Sequence, residues 1–412
     1  MQKTLIPDYR SPEFQQLKKV FALLTRYREG EIGEHLSFIT HHEISQFYLL
    51  LLGKQLAGET KLVSRWEQIK KEILFTNLYY LNHAGRLFSR LKEKKTDVIV
   101  LKGLSFISHL YDDIGLRPFC DLDILIHEDD IGTFLTVVEE EGFTLPEGIR
   151  DINPGDEFDI YHPVLKIKID VLTSLNAGAF VCRYFPVDTS GIWERKKSIQ
   201  TGTTEVYRLS EEDELLYAIV HLAFHIYFQV EIKWLFDLRF FLEKYGSSLD
   251  RKYLGEQIRK AGLEHVIVAV SEILTWMFHQ DYSAVFGPVK TRFYLFDRTW
   301  LKFYLFPPRL FGTSLEFYGV INRMALTFMK YALISRPGDK WKFLTDRIFP
   351  DTSRIGFAYT DRLLIPRKIF IPLMQALFLL LSPVVLTFLI LIFLGSTLIA
   401  RMILFKHSFR HG

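Results

Sequence analysis

The spacing of apolar positions changes along the chain, and each change predicts a different kind of element. From residue 11 to about 95 apolar residues recur every three or four positions, the period of helices with one buried face. Ser11-Pro12 predicts a capped start with proline in the first turn, followed by FQQLKKVFALL. The run Glu72 to Leu91, EILFTNLYYLNHAGRLFSRL, keeps that period. From 97 to about 175 the pattern becomes β-rich: DVIVL, LDILI, FDIYH and VLKIKIDVL read as strands, while LSFISHLY and IGTFLTVVEEEGF read as helices. Beyond residue 205 long aromatic-rich helical segments return, among them DELLYAIVHLAFHIYF and KWLFDLRFFLEKYG. The expected organisation is a helical region over 1–95, an α/β core over 96–204, a helical domain over 205–345, a linker over 346–368 and a hydrophobic tail over 369–412. The fold class is α+β.

The tail changes the expected location. Ile369 to Ala400 contains no charged residue, and about 20 apolar residues suffice to cross a bilayer as helix. Pro383 divides the run, and Val384 to Phe405, interrupted by Arg401, makes the better span. Arg362, Arg367 and Lys368 precede it, and Lys406 and Arg410 follow, so charge leaves orientation open and favours a hairpin with both ends in the cytoplasm. The expectation is a protein on the cytoplasmic side of the membrane, touching lipid through residues 369–405. A buried core hairpin is the competing reading.

Composition narrows the rest. Over 412 residues, 49% are hydrophobic and 15% aromatic, which supports a sizeable core and excludes global disorder. A net charge of +3 does not indicate a nucleic-acid partner. Cys120 and Cys182 are the only cysteines, too few for a disulfide framework or a cysteine zinc site.

The candidate chemistry lies in VIVLKGLSFISHLYDDIGLRPFCDLDILI, residues 98–126. Side chains alternate along a strand, so Asp121 and Asp123 share one face and Leu122 takes the other. Two adjacent carboxylates call for a cation, and oxygen ligands select Mg2+ or Mn2+. The turn at Lys102-Gly103 opens a helix, a natural seat for phosphates, with Lys102, the Gly103 amide and the Ser105 hydroxyl as contacts. Arg117 is placed to touch phosphate or orient the acids. In VLKIKIDVL the alternation puts Asp170 on the polar face with Lys166 and Lys168. Three carboxylates around two divalent ions suit phosphoryl or nucleotidyl transfer, with Asp121 and Asp123 bridging the ions and Asp170 serving the attacking hydroxyl.

The order strand, Lys-Gly, helix, Arg, DxD, lone strand aspartate resembles the nucleotidyltransferase superfamily that includes DNA polymerase β and kanamycin nucleotidyltransferase. More narrowly, Leu101-Lys102-Gly103 and Leu110 to Leu125 resemble the LKG and LYxDxGLRPxxDxDxL motifs of a bacterial family of uncharacterised nucleotidyltransferases. HLAFHIYFQVEIKWLFDL resembles a later helical segment of that family. The resemblance spans roughly residues 35–300. It implies a minimal nucleotidyltransferase mixed sheet with flanking helices, metal ligands at Asp121, Asp123 and Asp170, and transfer of a nucleoside monophosphate from an NTP, ATP first among them, to a hydroxyl acceptor. The chain departs from the pattern in two places: Gly103-Leu104-Ser105 replaces the usual Gly-Ser, and Val171-Leu172 follow Asp170 where His and Trp are usual.

Two other functions compete. A membrane-attached glycosyltransferase also holds a metal with DxD, although only one βα unit precedes the motif here. A non-catalytic nucleotide-binding or scaffold protein is the other. His221 and His225 are spaced as a metal pair but lack an accompanying HExxH carboxylate. Lys233 and Asp237 are spaced as a helical ion pair. Tyr161 and His162 fit either a cleft or a turn.

Overall fold

A computed structural model describes most residues of 12–305 and 327–348, with short breaks chiefly at 25–31, 150–156 and 226–230, and isolated positions after 394. Two compact units form. Of the described residues, one comprises those of 16–289, and the other those of 12–15, 291–305 and 327–348. The site lies wholly in the first.

Helix α1 (Pro12–Ala22) belongs to that unit from residue 16 onward and is followed by α2 (Leu36–His41), α3 (Ser45–Leu52) and α4 (Thr60–Glu93). At 1.5 Å per residue α4 is about 50 Å long. The α/β part follows: β1 (Val98–Val100), α5 (Lys102–His109), β2 (Leu122–Ile126), α6 (Ile131–Glu140), β3 (Glu157–His162), β4 (Ile167–Leu172), α7 (Ala179–Tyr184), α8 (Ile192–Arg195), β5 (Lys197–Thr201) and β6 (Thr204–Arg208). Helices α9 (Glu211–His225), α10 (Ile232–Tyr245), α11 (Arg251–Ala261) and α12 (Glu264–Phe278) complete it.

The six strands form one mixed sheet in the order β3-β4-β2-β1-β6-β5. β2 runs parallel to β4 and β1 parallel to β6, while the other neighbours are antiparallel. The period-two pattern decides the two faces. Val98, Val100, Leu122, Ile124, Ile169 and Val171 point one way and pack under Leu87 and Phe88 of α4 and Phe134 and Val138 of α6. Ile99, Leu101, Leu125 and Leu172 point the other way, into a smaller cluster with Leu209 and Tyr217. The polar ends of β2 and β4 on this second face carry the candidate carboxylates.

Several expectations need adjusting. β5 and β6 are strands at the boundary where the sequence pattern suggests a return to helix, because KSIQT and TEVYR alternate over only five residues each. β4 starts at Ile167 rather than Val164, since Pro163 through Lys166 form the turn and Lys166 sits at φ 57°. Cys120 and Cys182 are free thiols.

In the second unit, α13 (Leu295–Tyr304) and α14 (Pro337–Ile348) are joined by a buried Lys340–Asp297 ion pair. Among the described residues no single helix is long and apolar enough to cross a membrane. The run from Ile369 to Ala400, on which the membrane expectation rests, lies almost entirely outside the described residues.

Candidate functional site

Strand register brings the acids together. Asp123 of β2 stands directly opposite Asp170 of β4, and Asp170 opposite Asp159 of β3. Neighbouring strands are about 4.8 Å apart, so three carboxylates line one row of the same face. Asp121, just ahead of β2, extends the row at its mouth.

Two lysines balance this row. Lys102 Nζ lies 2.5 Å from Asp123 Oδ1. Lys168 Nζ lies 2.7 Å from Asp170 Oδ1 and 3.0 Å from Asp159 Oδ2. Asp123 is 4% exposed, and burial raises its pKa, with Asp121 adding to the shift while Lys102 opposes it. Asp170 is pushed up to about 6 by burial and by Asp123 and Asp159, against the pull of Lys168. Burial opposes the charge on Lys102, but Tyr217, Asp123 and Asp121 outweigh it and hold the ammonium well above its ordinary range. The Tyr217 hydroxyl lies within hydrogen-bond reach of Lys102.

The turn that presents Lys102 is strained. Lys102 sits at φ 44°, a left-handed conformation unfavourable for a side-chain-bearing residue. Gly103 follows because nothing larger fits: a Cβ there would lie 2.8 Å from Arg117 Nη1 and 2.8 Å from the Phe119 Cβ. Helix α5 starts at this turn, so its first amides have no intrahelical acceptor.

Other candidates are placed differently. The Ser105 hydroxyl, expected at phosphate, is fully buried and donates to Glu214 Oε1 at 2.5 Å. Position 105 lies on the stretch of α5 from Gly103 to Ile107 that packs into the core. Glu214 also meets His109 Nε2 at 3.0 Å and Arg208 Nη1 at 3.4 Å. Arg117 is 4% exposed, and its guanidinium is committed to Asp237 of α10 at 2.9 Å and to the Pro118 carbonyl at 3.0 Å. It can therefore orient the loop carrying the acids, and it is not open to phosphate. Tyr111 donates to the same Asp237 at 2.6 Å. Asn77 of α4 donates to the carbonyls of Ile114 and Arg117, at 2.5 and 2.9 Å. The loop is thus held by α4 on one side and α10 on the other.

The expected Lys233–Asp237 helical pair does not form: Asp237 takes Arg117 and Tyr111, and Lys233 turns to Glu231 at 2.5 Å. His221 packs edge-on against Trp234 at 4.7 Å, and the His225 side chain lies outside the described residues. His162 takes the turn role, accepting from the Leu165 amide at 3.2 Å. Its ring faces a cavity of about 210 Å³ on the far side of the sheet from the acids. Tyr161, by contrast, shares the face of Lys168, its partner in the β3–β4 register.

Sequence reasoning missed Asp159, Tyr217 and Glu214. The alternation of FDIYH held the signal for Asp159; the two helical residues had none.

Among the described residues no three His, Cys, Asp or Glu side chains are gathered closely enough to enclose a metal ion. The chemistry of the donor set nevertheless suits one. The row is all carboxylate, burial raises the pKa of Asp123 and Asp170 within it, and its present counter-charges are the ammonium groups of Lys102 and Lys168.

No curated protein and no solved structure matches the chain. A family model described as uncharacterised nucleotidyltransferase covers residues 30–279, which takes in α4, the whole sheet, the acid row and the Arg117–Asp237 clamp. With well over half of its length so matched, the chain belongs to this uncharacterised nucleotidyltransferase family.

Proposed function

We propose that the protein transfers a nucleoside monophosphate from an NTP, with ATP the first to try, to a hydroxyl acceptor. Mg2+ or Mn2+ would be held by Asp121, Asp123 and Asp170. The observation that carries this reading is the in-register pairing of Asp123 with Asp170 beside the Lys102-Gly103 turn. A bound cation supplies neutralisation of the triphosphate and a lowered pKa for the attacking hydroxyl.

The chain's own groups then have distinct tasks. Lys102 and the unpaired amides at the start of α5 meet the phosphate oxygens, where the helix dipole favours negative charge. Asp170 receives the proton of the acceptor hydroxyl. Arg117, pinned by Asp237, keeps the Asp121–Asp123 segment against the Gly103 turn. The uncharged run from Ile369 to Ala400 supports placing this chemistry at the cytoplasmic face of a membrane, with residues 369–405 in contact with lipid.

The test is to replace both Asp121 and Asp123 by Asn. The variant should lose Mn2+-dependent nucleotide binding, and transfer of label from NTP into cell extract, while still unfolding cooperatively. Unchanged binding of cation and nucleotide would remove the assignment.

A further inference from the structure

A carboxylate as buried as Asp123 stays ionised only with a cation against it, and otherwise takes up a proton. In the structure that cation is Lys102, at 2.5 Å from Oδ1. A divalent ion binds the same kind of oxygen at about 2.0–2.6 Å. Ammonium and metal on one oxygen would be two like charges within about 5 Å in a partly desolvated site, so each weakens the other's hold.

The two lysines of the row differ in what they keep after such a displacement. Lys168 touches both Asp170 and Asp159, so a cation on Asp170 leaves it Asp159. Lys102 is held by Asp123 and Asp121 together with the neutral hydroxyl of Tyr217, and a cation on the DxD pair takes both acids. At the mouth, where it is already 21% exposed, it can turn toward solvent and keep its charge beside the unpaired amides of α5. A lysine in that position needs an anion, and its four-carbon stem can swing to one. The left-handed backbone at Lys102, sparsely populated for such a residue, fits a side chain held at one partner and poised for another.

We infer that Lys102 is an exchangeable counter-ion: it neutralises Asp123 until a divalent cation arrives, then passes to the phosphate oxygens of the nucleotide. This rests on the nucleotidyltransferase reading above. Cation and nucleotide then reinforce each other's binding, because each makes the place the other needs. That coupling is reciprocal by thermodynamic necessity.

Two measurements on the full chain test the exchange. In the first, Lys102 is labelled with an amine-reactive reagent and quantified by peptide mass spectrometry. Mn2+ alone should raise its labelling several-fold, and further addition of α,β-methylene-ATP should return it to the starting level. Bound Mn2+ is followed in the same samples by paramagnetic resonance. In the second, Lys102→Met should bind Mn2+ alone about tenfold more tightly than the wild type, about 1.4 kcal/mol. The variant should also lose most of the gain in Mn2+ affinity that the analogue gives the wild type. The first measurement needs no substitution and stands even if Lys102→Met fails to fold. Mn2+ bound by the wild type with Lys102 labelling unchanged overturns the exchange and leaves the cation site standing. So does a folded Lys102→Met that binds Mn2+ no more tightly. A wild type that binds no Mn2+ overturns the reading on which the exchange rests.

Discussion

Asp170 gives the site a pH signature that can be read without substrate. Burial, with Asp123 and Asp159 adding, raises its pKa from 3.8 to about 6 in the folded protein. The folded state therefore holds this proton more tightly than the unfolded chain. Its contribution is most favourable below the unfolded value and declines as pH rises through about 6. With a chelator present, Asp170→Asn should gain stability relative to wild type between pH 4 and pH 7, as measured by thermal unfolding at each pH. A difference that stays flat across that window would show that the carboxyl is not under strain. The period-two pattern of β2 and β4 made Asp121, Asp123 and Asp170 legible in the sequence, since a strand leaves few choices of face. Ser105 was not legible in the same way. Which side of a one- or two-turn helix faces the core depends on its neighbours, and here Glu214, more than a hundred residues on, supplies the partner.

At the level of elements, the loop between α5 and β2 is held by helices distant from it in sequence. Asp237 of α10 receives Arg117 and Tyr111 in a nearly water-free setting, the ion pair being 5% and 2% exposed. Removing one partner of such a pair strands the other charge, at a cost of about 3–5 kcal/mol. Asp237→Ala and Arg117→Met should each destabilise by that order in urea unfolding. Combined, they should cost clearly less than the sum, because the double variant strands no charge. Full additivity would mean that the two residues act independently. The motif residues hinted at each end of this clamp but not at their partnership. Sequence spacing suggested Lys233 for Asp237, whereas a bidentate guanidinium brought in by tertiary packing is the better partner. The same limit applies to β5 and β6, whose short, polar alternation is visible as strand only once β6 lies between β1 and β5.

For the whole molecule, the acids and the hydrophobic run are separated by roughly two hundred residues, so anchoring and chemistry should be separable. Truncation after Tyr359 should give a soluble protein that keeps nucleotide binding, while the full chain fractionates with membranes, resists high salt and is released by detergent. A soluble, monomeric full-length chain would end the membrane proposal. The broad α+β architecture was readable because the period of apolar positions shifts near residues 97 and 205, whereas the order of strands was not. That order has a bearing on synthesis. β1 sits between β2 and β6, and its parallel partner, paired through Ile99 and Tyr207, comes more than a hundred residues later. At about 5–20 residues per second the ribosome takes roughly 5–20 s to supply it. Until then the nascent chain presents one open hydrogen-bonding edge of β1, whose three residues are all apolar. The acid row can form once β4 has emerged, but the sheet that supports it closes only with β6, and Asp237 arrives later still to lock the loop. Yield is therefore expected to respond to translation speed across residues 100–240, and to a chaperone that shields strand edges.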